Sequence, residues 1–151
     1  MEKRRFLTII CGISGLVSVF LPWISIDAFQ LTMNVNGFGR GDTPTDAFVS
    51  LILFGLIVAL SLIGERKEEF SPVFSYSICG LAVLSFIFGL VEFFAVHGKV
   101  ATVDAQLRAV SEAAYKGGSV GYGVYISLVA SLVVVILLGL PIVHHFQRKH
   151  Q

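Results

Sequence analysis

Charge is scarce in this chain. Of its 151 residues 14% are charged and 55% are hydrophobic, whereas a soluble domain carries about 25% charged residues. The net charge of +1 supplies no field that would attract nucleic acid or an acidic partner. Cysteine is nearly absent too. Cys11 and Cys79 stand alone, with no C-x-x-C pair, which excludes a membrane thiol oxidase. Both are read as small packing residues in apolar surroundings that suppress thiol reactivity. The chain has no zinc-protease motif, no P-loop and no Gly-x-Ser-x-Gly nucleophile motif. It also lacks the charged midplane cluster and inverted repeat of coupled transporters. No catalytic, cofactor-binding or metal-binding residue is assigned, and the chain is expected not to be an enzyme.

What the chain has in place of charge is long apolar runs. Four stretches hold no charged residue: Phe6 to Ile26, Ala47 to Gly64, Ser71 to Val91 and Gly117 to Val143. At about 1.5 Å per helical residue each can cross a hydrocarbon core roughly 30 Å thick. The expected fold is an all-α integral membrane protein with one domain over residues 1–151. It would be an antiparallel four-helix transmembrane bundle, with spans at about 6–26, 44–64, 72–96 and 119–146 and outer loops at 27–43 and 97–118. The first run is too long for a signal core and ends in Leu21-Pro22-Trp23, not at a small-x-small cleavage site, so it is expected to be retained. Lys3, Arg4, Arg5, Arg66, Lys67, Arg148 and Lys149 fall on one side, against Arg40, Lys99, Arg108 and Lys116 on the other. That bias predicts an inner-membrane protein with both termini cytoplasmic, and Trp23 fits an interfacial anchor.

The two outer segments are patterned. Phe29, Leu31, Met33 and Val35 alternate with Gln30, Thr32, Asn34 and Asn36, and Ile24 and Ile26 alternate with Ser25 and Asp27. Period two predicts a short extracytoplasmic β-hairpin after the first helix. Gly37 to Asp42 reads as a turn-rich loop, and its Arg40-Gly41-Asp42 is better explained by turn geometry than by adhesion. Thr43, Pro44 and Asp46 form a helix start. In the second outer segment Val100, Val103, Leu107, Val110 and Ala114 mark one helical face. Asp104, Arg108, Glu112 and Lys116 alternate in sign on another. They predict an amphipathic helix over 100–116, ended by Gly117-Gly118. It either continues the third span past His97-Gly98 or folds over the bundle.

Small residues predict where helices meet: Gly12 and Gly15 in the first span, Gly55 and Ala59 in the second, and the stripe Ser119, Gly123, Ser127 and Ser131 in the fourth. Contact inside the chain and contact with another copy are both open for that stripe. Glu92 and Asp27, with Arg40, form a possible polar site at the outer boundary. His144, His145 and His150 are read as solvated residues and not as metal ligands.

The layout resembles the claudin-like architecture: four spans, a β-prone first outer loop and a helical extension beyond the third. The family's Trp…Gly-Leu-Trp…Cys…Cys signature is missing, since Trp23 stands alone and the loop has no cysteine. Tight-junction function is therefore not implied. Lys3-Arg4-Arg5, the run Gly12 to Ser18, Leu21-Pro22-Trp23 and Gly37 to Asp42 are similar to the opening of a diffuse set of small prokaryotic four-span membrane proteins of unknown function. That likeness implies no activity. The expected function is a non-enzymatic binding, accessory or assembly subunit that uses its outer segments. Its partners would be the lipid bilayer and another membrane protein or itself, with no nucleic acid and no cofactor. Phe29, Leu31, Met33, Val35, Val103, Leu107 and Val110 are the expected partner surface. The alternatives are an oligomeric pore or small-solute carrier, and a toxin-immunity-type membrane protein.

Overall fold

The computed structural model of the chain describes residues 3–28, 31–39, 47–63, 72–110 and 115–149. Four helices and three strands follow in the order α1 (Lys3–Ser18), β1 (Pro22–Ala28), β2 (Leu31–Asn36), α2 (Ala47–Leu62), α3 (Pro72–Val110), β3 (Tyr115–Val120) and α4 (Tyr122–Lys149). The strands form one antiparallel sheet in the order β2-β1-β3.

The fold is not the expected all-α, four-span transmembrane bundle. Among the described residues only two helices are long and apolar enough to cross a membrane, at Val73–Ala109 in α3 and Tyr122–Pro141 in α4. The physical reasons are local. The first apolar run divides at Val19, where tight turns close on Val17 and Ser18. Pro22, with no N–H to continue the helix, opens β1. That leaves α1 with 16 residues, about 24 Å long and short of a hydrocarbon core. The helix α2 likewise has 16 residues. The last apolar run loses its first residues to β3 and Gly121.

The second outer segment is not a loop. α3 runs unbroken through His97-Gly98 for 39 residues, so the amphipathic stretch extends α3 to Val110 and does not form a separate helix ending at Lys116. Val100 is buried and Val103 and Leu107 are half-buried on it, and Asp104 bonds Arg108 at 3.0 Å, one turn away. Lys116, Gly117 and Gly118 belong to β3. The expected hairpin is present as β1 and β2, but as two strands of three.

Glycines set the packing of α1 on α2. A Cβ at Gly12 would lie 2.6 Å from Val58 Cγ2, and one at Gly15 would overlap the Phe54 ring. The two helices run antiparallel, and buried Arg5 donates from Nη2 to Ile63 O at 3.1 Å. On α3 and α4 the neighbours also run in opposite directions, Cys79 near Gly139 and Gly89 near Leu128. The main core joins Phe54 and Ile57 of α2, Ile78 and Ala82 of α3, and Ala130, Val134 and Leu138 of α4. Buried hydroxyls bond back to their own helices: Ser61 Oγ to Ile57 O at 2.6 Å and Ser131 Oγ to Ser127 O at 3.0 Å.

Candidate functional site

The sheet is held to the helices through Trp23. Pro22 pairs with Asn36 and Ile24 with Val35, so Trp23 is the extra residue of a bulge in β1. A bulge re-aims a side chain, and here it turns the indole inward to 5% exposure. Its Nε1 donates to Ser18 O at 2.9 Å, which uses a carbonyl at the end of α1. Val96 and Val100 of α3 and Val124 of α4 complete its cluster. Three glycines make room. Gly37 lies against the indole and Val19 O, Gly121 against the backbone of Pro22 and Trp23, and Gly123 against Ser18 O and Trp23 Cδ1. Gly121 N also donates to Trp23 O at 2.8 Å. Trp23 is thus enclosed by protein and not presented at the surface as the expected anchor would be. One signal of this was available in the sequence: Gly121-x-Gly123 at the head of α4.

The register sorts the sheet into two faces. Val35, Ile24 and Val120 form one cross-strand row, and Met33, Ile26 and Gly118 the next. Ile24 and Val120 pack against the Trp23 cluster, so this apolar face turns toward α3. The cover gives out at β2, where Leu31 is 69% and Met33 50% exposed. Asn34, Ser25 and Ser119 form a polar row, with Thr32, Asp27 and Gly117 beyond it. Ser25 Oγ donates to Asn34 Oδ1 at 2.9 Å and Thr32 Oγ1 to Asp27 Oδ1 at 2.6 Å.

The two edges of the sheet differ. At β3, Lys116 is the extra residue of a second bulge, and Gly117 has φ +137°, a conformation that favours glycine. Bulges and charge blunt an edge against further pairing. β2 has neither on its outer side. It carries no charge and no proline, and among the described residues no strand pairs there. Every second residue of such an edge turns its N–H and C=O away from the sheet.

No family model, curated protein or solved structure matches this chain.

Leu31 and Met33 share the exposed β2 edge with half-buried Val35. Val103 and Leu107 lie on α3. Phe29 and Arg40 lie outside the described residues, as do Gly41 to Asp46, Glu112, Ala114 and His150; the side chains of Val110, His144 and His145 are also outside them. Asp27 is exposed on the polar face, turned away from α3, while Glu92 of α3 is 5% exposed. These two carboxylates stand in different surroundings. The small-residue stripe is divided. Gly123, Ser127 and Ser131 are buried inside the chain, Gly123 against Trp23 and Ser127 beside Gly89, whereas Ser119 is exposed on β3. A Cβ at Gly55 would meet nothing within 4 Å and Ala59 is exposed, so among the described residues that pair meets no other helix. Among the described residues no group of three His, Cys, Asp or Glu is placed to hold a metal. An apolar groove of about 360 Å³ runs between α1 and α4, lined by Cys11, Ser14, Tyr125, Ile126, Val129, Ala130 and Val133.

Proposed function

We propose that this is a membrane-embedded, non-enzymatic binding protein that receives a partner strand at the outer edge of β2. The observation that carries the reading is that edge: uncharged, unpaired among the described residues, with Leu31 and Met33 exposed beside it. Strand addition takes its affinity from backbone hydrogen bonds and its specificity from alternate side chains, and β2 offers both. The membrane assignment is supported by α3 and α4. Less than half of either candidate span is buried, and Leu84, Ile87, Val91, Val129, Leu132 and Ile136 face outward. A soluble core helix would hide such residues. Arg66 and Lys67 before α3 and Arg148 and Lys149 at the end of α4 favour a cytoplasmic start of α3 and end of α4. The sheet then faces the extracytoplasmic side.

The test is gentle extraction with crosslinking of the wild type, of the variant Leu31→Lys with Met33→Lys, and of Ala101→Lys on the exposed face of α3. Loss of the crosslinked partner in the β2 variant alone is the expected result. Equal recovery in all three would refute the reading.

A further inference from the structure

We infer that the occupant of the β2 edge is a second copy of this chain, paired antiparallel with Met33 opposite Met33 of the copy. The inference rests on the reading of β2 as a docking edge, and the polar row supplies the register. Thr32 Oγ1 donates its hydrogen bond to Asp27 Oδ1, so its lone pairs remain as acceptors. Asn34 Oδ1 has accepted from Ser25 Oγ, so its amide N–H groups remain as donors. Acceptor and donor sit two residues apart on one face of one strand, about 7 Å from each other and too far to meet.

An antiparallel pair centred on Met33 brings them together. Thr32 falls opposite Asn34 of the copy, and by symmetry Asn34 falls opposite Thr32. Two amide-to-hydroxyl bonds form, and each extends a ladder already built through Ser25 or Asp27. The same register sets Leu31 opposite Val35 and keeps both apolar faces on one side. Neighbouring registers lose these matches. A shift of one residue sets apolar side chains on the polar face of the copy. Centring on Asn34 sets the two Asn34 amides against each other and places Leu31 opposite Gly37, beyond the end of β2, so the Leu31–Val35 contact is lost. Centring on Thr32 puts acceptor against acceptor. β2 holds no charge, so two copies meet without like-charge repulsion. The product is one six-stranded sheet in the order β3-β1-β2-β2-β1-β3.

The test uses the full chain in its native membrane, with Cys11→Ser and Cys79→Ser as background. Side chains directly opposite have Cβ atoms about 4.5–5.5 Å apart and diagonal ones about 7–8 Å, and a disulfide spans only the closer pair. On oxidation Met33→Cys should give a covalent dimer at several-fold higher yield than Thr32→Cys or Asn34→Cys alone. Thr32→Cys mixed in equal amount with Asn34→Cys should recover about half of that yield, the share of pairs that holds one of each. Folding of each variant is checked by the emission of Trp23, the single tryptophan. No dimer from Met33→Cys would overturn the self-pairing. A photo-crosslinker at position 33 separates the two readings. Capture of a different protein would refute the copy and keep the docking edge, whereas capture of nothing would refute both.

Discussion

Replacing Gly121 by alanine tests the junction that holds the sheet to the helices. The added Cβ would overlap the Pro22 carbonyl oxygen, and would lie 2.5 Å from Pro22 C and 2.9 Å from Trp23 C. All three are backbone atoms, so no side-chain rotation relieves the contact. Either β1 moves and takes Trp23 with it, or the Gly121 N to Trp23 O bond of 2.8 Å opens. Overpacking costs about 1–3 kcal/mol, and an orphaned buried backbone group costs about 1–3 kcal/mol more. The expected loss is therefore about 2–6 kcal/mol. Gly55→Ala is the matched control: its Cβ meets nothing within 4 Å, and alanine gains about 0.8–1 kcal/mol over glycine in a helix. Thermal unfolding in one detergent, followed by tryptophan emission, reads both. At about 2–4 °C per kcal/mol for a chain of this size, Gly121→Ala should melt about 4–24 °C lower. Gly55→Ala should melt at or slightly above the wild type. Equal melting of the two variants would show that the Pro22–Gly121 approach does not constrain the fold.

Trp23 should emit at short wavelength and resist quenching by aqueous iodide, because its indole is enclosed; free quenching would mean that it faces solvent. Trp23→Phe keeps most of the ring but loses the bond to Ser18 O, which should cost about 1–2 kcal/mol in the same melting assay. Gly15→Ala should destabilise more than Gly55→Ala, by about 1–3 kcal/mol, because its Cβ meets the buried Phe54 ring between α1 and α2. Equal melting temperatures would place that helix contact elsewhere.

Composition reports that a segment is apolar, not how it is folded, and this explains which parts of the fold were legible. Pro22 to Ile26 is as free of charge as the helix before it, so a count of charges merges the two, although Pro22 and the bulge at Trp23 make the second part a strand. The β1–β2 hairpin was visible because its alternation is local. β3 was not. Lys116, Gly117 and Gly118 have low strand propensity, and the strand exists because β1 offers it a distant ladder. His97-Gly98 left two paths open for the amphipathic stretch; a glycine inside a helix costs only about 1 kcal/mol, and the flanking residues continue the helix. The Asp104–Arg108 pair could be read directly from its spacing. At the candidate site the exposed apolar residues Leu31 and Met33 were legible from alternation. The unpaired side of β2 depends on the strand order, which no local pattern encodes.

The central strand also sets a timetable. β1 meets β2 almost as soon as both leave the ribosome, but β3 arrives about ninety residues later. At about 5–20 residues per second, β1 waits roughly 5–20 s with one flank bare. Any chaperone or insertase that handles the nascent chain must shield that flank while α3 is being made. Where two ribosomes translate side by side, the β3 of one chain can close the β1 of the other, giving strand-exchanged pairs distinct from those made through β2. Truncation after α3 should leave the wait permanent, making the C-terminal segment the closing step of assembly.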